Sequence, residues 1–318
     1  MAGCITVVVG RISVIVVSYN TRELLEKCLA TLGEADEVIV VDNASSDGSP
    51  VMVRDRFPAV TLIENRANKG FGAANNQGLD AMSGEYALLL NSDAEARPGA
   101  ITQLRETLSE SPDIVACGGL LESDDGEAQN SCAGKLTLWA LICEQTLLEK
   151  ALPTSRIFSP YWKTATILAT NPSGAVDVEQ VMGACLAMRP LERFDERFFL
   201  YCEDTELCRR LRKHGRIVYV PRARFGHALG ASSKSRWKAV ARYNRGKELY
   251  FSITSGRLVA VLAFTINRLG ALLRLLIWLA PAVITLGLVA KFRSQTGLFC
   301  RVLLAPLTGP ARPPDTEQ

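Results

Sequence analysis

The stretch Ala87–Gly99 reads ALLLNSDAEARPG, and it decides the predicted fold. Three consecutive leucines are typical of a strand that is buried on both faces of a parallel sheet. The polar residues Asn91, Ser92 and Asp93 follow where the chain leaves the core. A carboxylate at such a strand end suits Mg²⁺ or Mn²⁺, which bind oxygen ligands, although a turn or helix-cap aspartate explains the same residue equally well.

Strands and helices alternate on both sides of this stretch. Strands are predicted at Ile12–Ser18, in the segment EVIVVD that ends at Asp42, and at Ile114–Cys117. A helix is predicted over about residues 73–82, and Thr21 is a candidate cap for the helix that follows the first strand. This alternation indicates an α/β fold, with a mostly parallel sheet and helices on both faces. Ligands of such sheets bind beyond the carboxyl ends of the strands. The candidate binding residues at those ends are Ser18, Tyr19, Asn20, Asp42, Asn43, Asn91, Ser92 and Asp93.

A loop with glycine and asparagine, NKGFGAANNQG at residues 68–78, opens the helix after the third strand. It lacks the spacing of a P-loop, and no G-x-G-x-x-G follows the first strand, so a dinucleotide-dependent oxidoreductase is not indicated. We expect Gly70 to permit another group to approach the backbone closely. Asn75 is expected either to contact a ligand or to be a polar residue of the helix surface or cap. Asp42 either accepts hydrogen bonds from a nucleobase or ribose or forms an Asx turn with Asn43.

Three titratable residues in the second half of the chain are further candidates. Glu203 and Asp204 follow the aromatic run RFFLYC, and apolar surroundings raise the pKa of a carboxylate and so create a base. Acids in a first helical turn are also favoured by the helix dipole alone. His227 ends a predicted strand and is either a metal ligand beside Asp93 or an ordinary packed histidine.

The charged residues are unevenly distributed, although the formal net charge is only +3. Residues 228–314 contain 13 lysines and arginines but one acid, Glu248, which indicates an anionic partner. We expect that partner to be an anionic membrane surface and not a nucleic acid. The uncharged run Leu275–Ala290 is shorter than the ~20 residues that span a bilayer straight. It is therefore predicted to lie in the interface or re-enter it, with a kinked span or a soluble helix pair as alternatives.

The nine cysteines are scattered and contain no C-x-x-C pair. This usage is typical of reduced, buried thiols in a cytosolic protein and not of a disulfide framework or a zinc site. The N-terminal segment lacks the cationic start and apolar length of a signal peptide, so we expect a cytoplasmic location.

Five motifs, in order, resemble the inverting family 2 glycosyltransferases with the GT-A fold. They are VSYN, VVDNASSDGS, NKGFGAANNQG, LLLNSDAE and FFLYCEDTELCRRL. The resemblance covers roughly residues 12–250, and the most similar subgroup is that of rhamnosyltransferases acting on lipid-linked cell-envelope glycans. It implies a nucleotide diphosphate sugar as donor and a single displacement that inverts the anomeric centre.

The resemblance also implies roles for particular residues. Asp204 matches the general base, and Asp93 matches the last acid of the family's D-x-D metal motif. His227 matches a metal ligand found in some members, for Mg²⁺ or Mn²⁺. The first motif position is Asn91, a departure from the two-carboxylate pattern. In the nucleotide site, Asp42 matches the residue that contacts the nucleobase. Three further matching residues line that site: Ser18, Tyr19 and Asn43.

Acceptor and location follow from the same resemblance. The Q-x-x-R-W motif of processive synthases is absent, since residues 233–237 read SKSRW, and we expect transfer of one sugar, with rhamnose from dTDP-rhamnose as the best match. A lipid-linked or polysaccharide acceptor would be met at the cytoplasmic face of the membrane. We predict a transferase domain at 1–250, with a nucleotide-binding half at 12–118 and an acceptor-binding half at 119–250. An apolar helical segment with a disordered tail is predicted at 251–318.

Two other functions are compatible with such a sheet. Sugar-phosphate nucleotidyltransferases usually carry a glycine- and arginine-rich loop after the first strand, which VSYNTRELL lacks. A degenerate transferase that binds nucleotide sugar as a scaffold is favoured by Asn91 and disfavoured by the acid at Asp204.

Overall fold

The computed structural model describes residues 10–172, 174–228 and 235–305. Residues 1–9 and 306–318 lie outside the described residues. The predicted disordered tail, the N-terminal segment predicted to lack a signal peptide and part of SKSRW fall there or in the gap before residue 235. The chain forms two compact units. The first comprises the described residues up to Lys135, Trp162–Phe199 and the described residues from Glu203 to 228; the second comprises Leu136–Tyr161, Leu200–Cys202 and residues 235–305. The predicted division at residue 250 stays a prediction.

Eleven strands are present among the described residues. They are β1 Ile12–Ser18, β2 Glu37–Asp42, β3 Thr61–Glu64, β4 Tyr86–Asn91, β5 Ala94–Ala96, β6 Ile114–Glu122, β7 Cys132–Ala133, β8 Val176–Val178, β9 Gln180–Val181, β10 Cys185–Met188 and β11 Arg216–His227. The helices of the same residues are α1 Arg22–Ala30, α2 Ser49–Arg56, α3 Phe71–Ala81, α4 Ala100–Glu110, α5 Leu138–Gln145, α6 Leu148–Ala151, α7 Thr164–Leu168, α8 Glu203–Leu211, α9 Arg236–Ser255, α10 Arg257–Ile284 and α11 Ala290–Leu303.

The first unit is built on a nine-stranded sheet in the order β3-β2-β1-β4-β10-β6-β11-β5, with β8 also paired to β11. Strands β1 to β4 run parallel, and β10 is antiparallel to both β4 and β6. Because β11 is parallel to β6, the carboxyl ends of β1, β2, β4, β6 and β11 all lie at one edge of the sheet. The predicted mostly parallel α/β fold is confirmed.

Side chains of each strand alternate between two buried clusters, one on each face of the sheet. In β1, Val14 and Val16 enter one cluster and Ile15 enters the other. The first cluster also contains buried residues of α1, α2 and α4, and the second those of α3 and α8. Helices therefore cover both faces, as the alternation predicted. No disulfide bond joins the eight cysteines in the described part of the chain, and seven of them are buried.

Three local expectations are revised. The helix predicted from about residue 73 begins at Phe71, because Gly70 immediately before it has φ of 89° and ends the preceding loop. The strand at Ile114 continues to Glu122, since pairing with β11 resumes after a bulge. Thr21 precedes α1, but its hydroxyl contacts the hydroxyls of Ser18 and Ser92 at 3.1 and 2.9 Å and so joins two strand ends.

The second unit is helical, and its interior contains charged groups. Lys247 of α9 is fully buried, and its Nζ lies 2.8 and 2.9 Å from the two carboxylate oxygens of Glu144. The same Nζ lies 4.1 Å from the ring centroid of Tyr243. On α10, the Arg274 guanidinium donates to the backbone carbonyls of Glu144 and Gln145 at 2.7 and 2.8 Å. Burial of these charges is offset by pairing and hydrogen bonding.

Helix α10 is the helix of the described residues that is long and apolar enough to cross a membrane by length and composition, with 22% of its most apolar window buried. Its buried side packs against α5, α9 and α11. After Arg257, its exposed side chains are apolar except for one threonine: Leu258, Val261, Leu262, Thr265, Leu269, Leu272, Leu273, Leu276, Ile277, Leu279, Ala280, Val283 and Ile284.

Candidate active site

Asp93 and His227 come together because strand β5 pairs with the end of β11. In this antiparallel pairing Ala94 lies opposite His227, and the backbone N–H of Ala228 donates to the Asp93 carbonyl at 3.0 Å. The His227 Nε2 atom lies 3.4 Å from Asp93 Oδ1, and each side chain is less than a tenth exposed. Asn91, at the end of β4, places its Nδ2 atom 3.3 Å from the same Nε2. The structure thus brings together three residues that the sequence proposed separately.

Gln129 completes this cluster, and it was not a predicted site residue. Its Nε2 donates to the His227 carbonyl at 2.8 Å, and its Oε1 lies 2.8 Å from His227 Nδ1. The region from residue 122 to about 180 has weak periodicity, and the two partners are 98 positions apart, so no local signal points to this pairing.

The predicted nucleotide-site residues lie at the ends of β1 and β2. Asp42 is buried, its Oδ2 accepts from the Ser45 N–H at 2.8 Å, and its Oδ1 has no hydrogen-bond partner among the described residues. Burial raises the pKa of Asp42 above its ordinary value. Asn20 has φ of 53° and accepts from the Ser46 N–H at 2.8 Å, while Tyr19 is exposed. A buried carboxylate oxygen without a partner is a good acceptor for a ligand N–H or O–H.

Asn43 connects the β2 end to the loop before α3. Its Nδ2 donates to the Gly70 carbonyl at 3.1 Å, and its Oδ1 accepts from Asn65 Nδ2 at 3.0 Å. A Cβ on Gly70 would lie 2.4 Å from the Phe199 carbonyl oxygen, so the expected close backbone approach is present, although it is made to another part of the chain. Asn75 is buried and donates to the Phe71 carbonyl at 3.0 Å, within its own helix.

Glu203 and Asp204 begin α8. Glu203 is buried, and its Oε2 has no partner among the described residues. Burial, and next the neighbouring Asp204 charge, raise the pKa of Glu203 to about 8. Burial also raises the pKa of Asp204, against the opposing effect of hydrogen bonds from the Gly183 N–H at 2.9 Å and the Thr205 N–H at 2.7 Å. Burial therefore favours the protonated form of Glu203 near neutral pH.

The dipeptide Gly183–Ala184 links this acid pair to the cluster around Asp93. The Gly183 N–H donates to Asp204 Oδ2, and the carbonyl of the following residue, Ala184, accepts from the Asn91 N–H at 3.1 Å. Asp204 and the strand end of β4 are therefore held by two adjacent residues.

The residues present fit a divalent cation. Because Gln129 Oε1 can only accept, His227 Nδ1 carries the proton in the neutral ring and Nε2 is an acceptor. Two acceptors, Nε2 and Asp93 Oδ1, then face each other at 3.4 Å, an arrangement that a cation between or beside them stabilises. No group of three or more His, Cys, Asp or Glu side chains converges among residues 10–172, 174–228 and 235–305, so further ligands would have to come from a substrate or water.

Comparisons with known proteins agree with this fold. Residues 13–164 match the family model described as Glycosyl transferase family 2. The N-acetylglucosaminyl-diphospho-decaprenol L-rhamnosyltransferase of Mycobacterium tuberculosis is 30% identical over 240 residues, which are 67% of this chain and 75% of that protein. The GalNAc(5)-diNAcBac-PP-undecaprenol beta-1,3-glucosyltransferase of Campylobacter jejuni is 30% identical over 39% of this chain and 43% of its own length.

Solved structures show the same fold. The mannosyltransferase PcManGT from Pyrobaculum calidifontis, in complex with GDP-Man and Mn²⁺, aligns with a TM-score of 0.54 and 20% identity, over 92% of this chain and 85% of its own. GalNAc-T7 with UDP, GalNAc and Mn²⁺ aligns with a TM-score of 0.52 and 15% identity, over 77% of this chain and 50% of its own. The sheet with its flanking helices is the GT-A fold.

The chain belongs to glycosyl transferase family 2. It is therefore a glycosyltransferase by family.

Proposed function

We propose that the protein moves one sugar from a nucleotide diphosphate sugar to a hydroxyl of a lipid-linked glycan, with inversion at the anomeric carbon. The observation that carries the proposal is the contact of Asp93 with His227 at the carboxyl edge of the sheet. Asp204 is tied to the same part of the fold through Gly183, since the neighbouring residue Ala184 accepts from the Asn91 N–H. The rhamnosyltransferase and glucosyltransferase relatives, whose names specify polyprenyl diphosphate-linked substrates, favour the same class of acceptor.

Asp204 accepts the proton of the attacking hydroxyl. Its two oxygens accept one N–H each, from Gly183 and Thr205, which orients the carboxylate and leaves lone pairs for the acceptor. The raised pKa makes it a stronger base than an ordinary aspartate. Because the neighbouring Glu203 has a pKa of about 8, it stays neutral near pH 7 and does not add a second charge.

Asp93 and His227 Nε2 would hold Mg²⁺ or Mn²⁺. When bound, the cation supplies positive charge for the departing nucleotide diphosphate. Asp42 binds the nucleoside through Oδ1, which has no hydrogen-bond partner among the described residues. The rest of the nucleotide-sugar site is formed by residues at or near the ends of the same strands: Ser18, Tyr19, Asn20, Asn43, Gly70, Asn75 and Ser92.

The exposed apolar side of α10 supports a location at the membrane. The exposed Arg257, Lys291 and Arg293 lie at the ends of this apolar section, where they would meet anionic headgroups. We infer that the protein binds the cytoplasmic leaflet, where a polyprenyl-linked acceptor is presented. Flotation with anionic vesicles tests this, and Leu276→Glu is expected to reduce binding relative to Thr265→Ser.

The test of function incubates the full chain with dTDP-rhamnose or UDP-hexoses and a polyprenyl diphosphate-linked N-acetylglucosamine in vesicles. The expected products are a glycolipid heavier by one sugar, with an inverted linkage by NMR, and free nucleoside diphosphate. Release of pyrophosphate instead identifies a nucleotidyltransferase.

Asp204→Asn separates a working transferase from a sugar-binding scaffold. We expect the variant to lose turnover by more than about 100-fold while donor affinity stays within a factor of about two, because the base is removed and the nucleotide site is not. Asp80→Asn, at an exposed carboxylate of α3, is the matched control. Full activity in Asp204→Asn would refute the assignment of the base.

A further inference from the structure

We propose that Gln129 is a positioning residue that sets the tautomer of His227 and thereby directs the Nε2 lone pair at Asp93. The inference rests on the cation site of the proposed function for its consequence, but not for its geometry. Gln129 is absent from the five family-like motifs and lies in the hairpin that follows β6.

Two hydrogen bonds from one amide group determine the tautomer. Gln129 Nε2 is 2.8 Å from the His227 carbonyl, which can only accept, so this end of the amide is the nitrogen. The other end, Oε1, is 2.8 Å from His227 Nδ1 and can only accept. Nδ1 must therefore donate, and the neutral ring has its lone pair on Nε2, where Asn91 Nδ2 lies 3.3 Å away as a donor.

The backbone of Gln129 is itself held in place against β6. Its N–H donates to the Leu121 carbonyl at 2.8 Å. The Ser131 hydroxyl accepts from the Leu121 N–H at 2.8 Å and donates to the Gln129 carbonyl at 2.9 Å. Since β6 is paired to β11, which carries His227, the amide and the imidazole are fixed to neighbouring strands.

The consequence concerns the donor set for a cation. With the proton on Nδ1, Nε2 is available toward Asp93 Oδ1 at 3.4 Å; with the proton on Nε2, the ring presents an N–H there and cannot ligate. Hydrogen-bonding partners of metal-bound histidines typically change metal affinity by about 10- to 100-fold when removed.

The experiment uses ¹⁵N-histidine NMR on the full chain, which contains only two histidines, His214 and His227. His214→Gln assigns the signals. At a pH where the rings are neutral, we expect the wild type to show His227 protonated at Nδ1. In Gln129→Leu the Nε2–H form should appear, and the dissociation constant for Mn²⁺, measured by EPR, should rise about 10-fold or more. Gln129→Glu retains an acceptor for Nδ1 and should retain the wild-type tautomer, while Gln103→Leu on α4 is the control.

The outcomes separate this inference from the proposed function. An Nε2–H form in the wild type, or a Gln129→Leu variant with unchanged tautomer, overturns the role of Gln129. A changed tautomer with unchanged Mn²⁺ affinity overturns its consequence for the cation. Wild type that has the expected tautomer but binds no Mn²⁺ refutes the cation site of the proposed function and supports the tautomer assignment. An unchanged His214 signal in each variant reports that the fold is intact.

Discussion

Replacing Glu203 with glutamine should change how stability depends on pH. Glu203 is buried with Oε2 unpartnered among the described residues, and its pKa is about 8 in the folded chain against an ordinary value of 4.5. A raised pKa means that the favourable contribution is fully present below pH 4.5 and is lost as the pH rises toward 8. At about 1.4 kcal/mol per pKa unit, the loss from this single group is at most about 5 kcal/mol.

The assay is urea unfolding followed by circular dichroism at several values between pH 5 and 9. The wild type should lose stability across this range more steeply than Glu203→Gln, and the difference between them should grow by a few kcal/mol. A new amide in the same pocket adds a cost that does not vary with pH, so the slope is the informative quantity. Glu110→Gln, at an exposed position on α4, should keep the wild-type slope.

Equal slopes for wild type and Glu203→Gln would refute the reasoning. That result would mean that Glu203 ionises without penalty in the folded chain. Asp204 would then carry a second negative charge beside it at neutral pH, and the division of roles between the two acids would fail.

Two further predictions concern packing in each unit. Gly70→Ala should lower the free energy of unfolding by more than about 2 kcal/mol, measured by thermal or urea unfolding, because φ is 89° and a Cβ would lie 2.4 Å from the Phe199 carbonyl oxygen. Gly126→Ala, at φ of 82° with open space around the position, should lower it by less. Equal losses in the two variants would contradict the close approach at Gly70. Lys247→Met should destabilise by about 3 kcal/mol because Glu144 loses its buried partner, and adding Glu144→Leu should recover part of this, an outcome that a double-mutant cycle checks.

The sequence was sufficient to predict the fold because its apolar runs clearly indicate buried strands. The runs at Ile12–Ser18 and Ala87–Leu90 are apolar without alternation, and strands of this kind need helices on both faces. Asp93 and His227 were each predicted as ligands from their positions at strand ends. The distance of 3.4 Å between them could not be predicted from the sequence, because it depends on the antiparallel pairing of β5 with β11.

Other contacts left no local trace in the chain. Gln129 lies in a region with weak periodicity, and nothing in its neighbourhood distinguishes it from a surface glutamine. Thr21 illustrates a different difficulty, because a threonine before a helix is a good cap candidate, yet its hydroxyl joins Ser18 and Ser92 across two strand ends. Tertiary partners decided both cases, and a rule that uses only sequence neighbours does not contain them.

The pairing of β11 with both β6 and β5 has a consequence for biosynthesis. His227 is 134 positions after Asp93 in the chain, and β5 is joined to the sheet through its pairing with β11. A ribosome-bound or truncated chain that stops before Arg216 therefore exposes Asp93 without its imidazole neighbour. The contact between Asp93 and His227 therefore needs the same strand, β11, that joins β5 to the sheet.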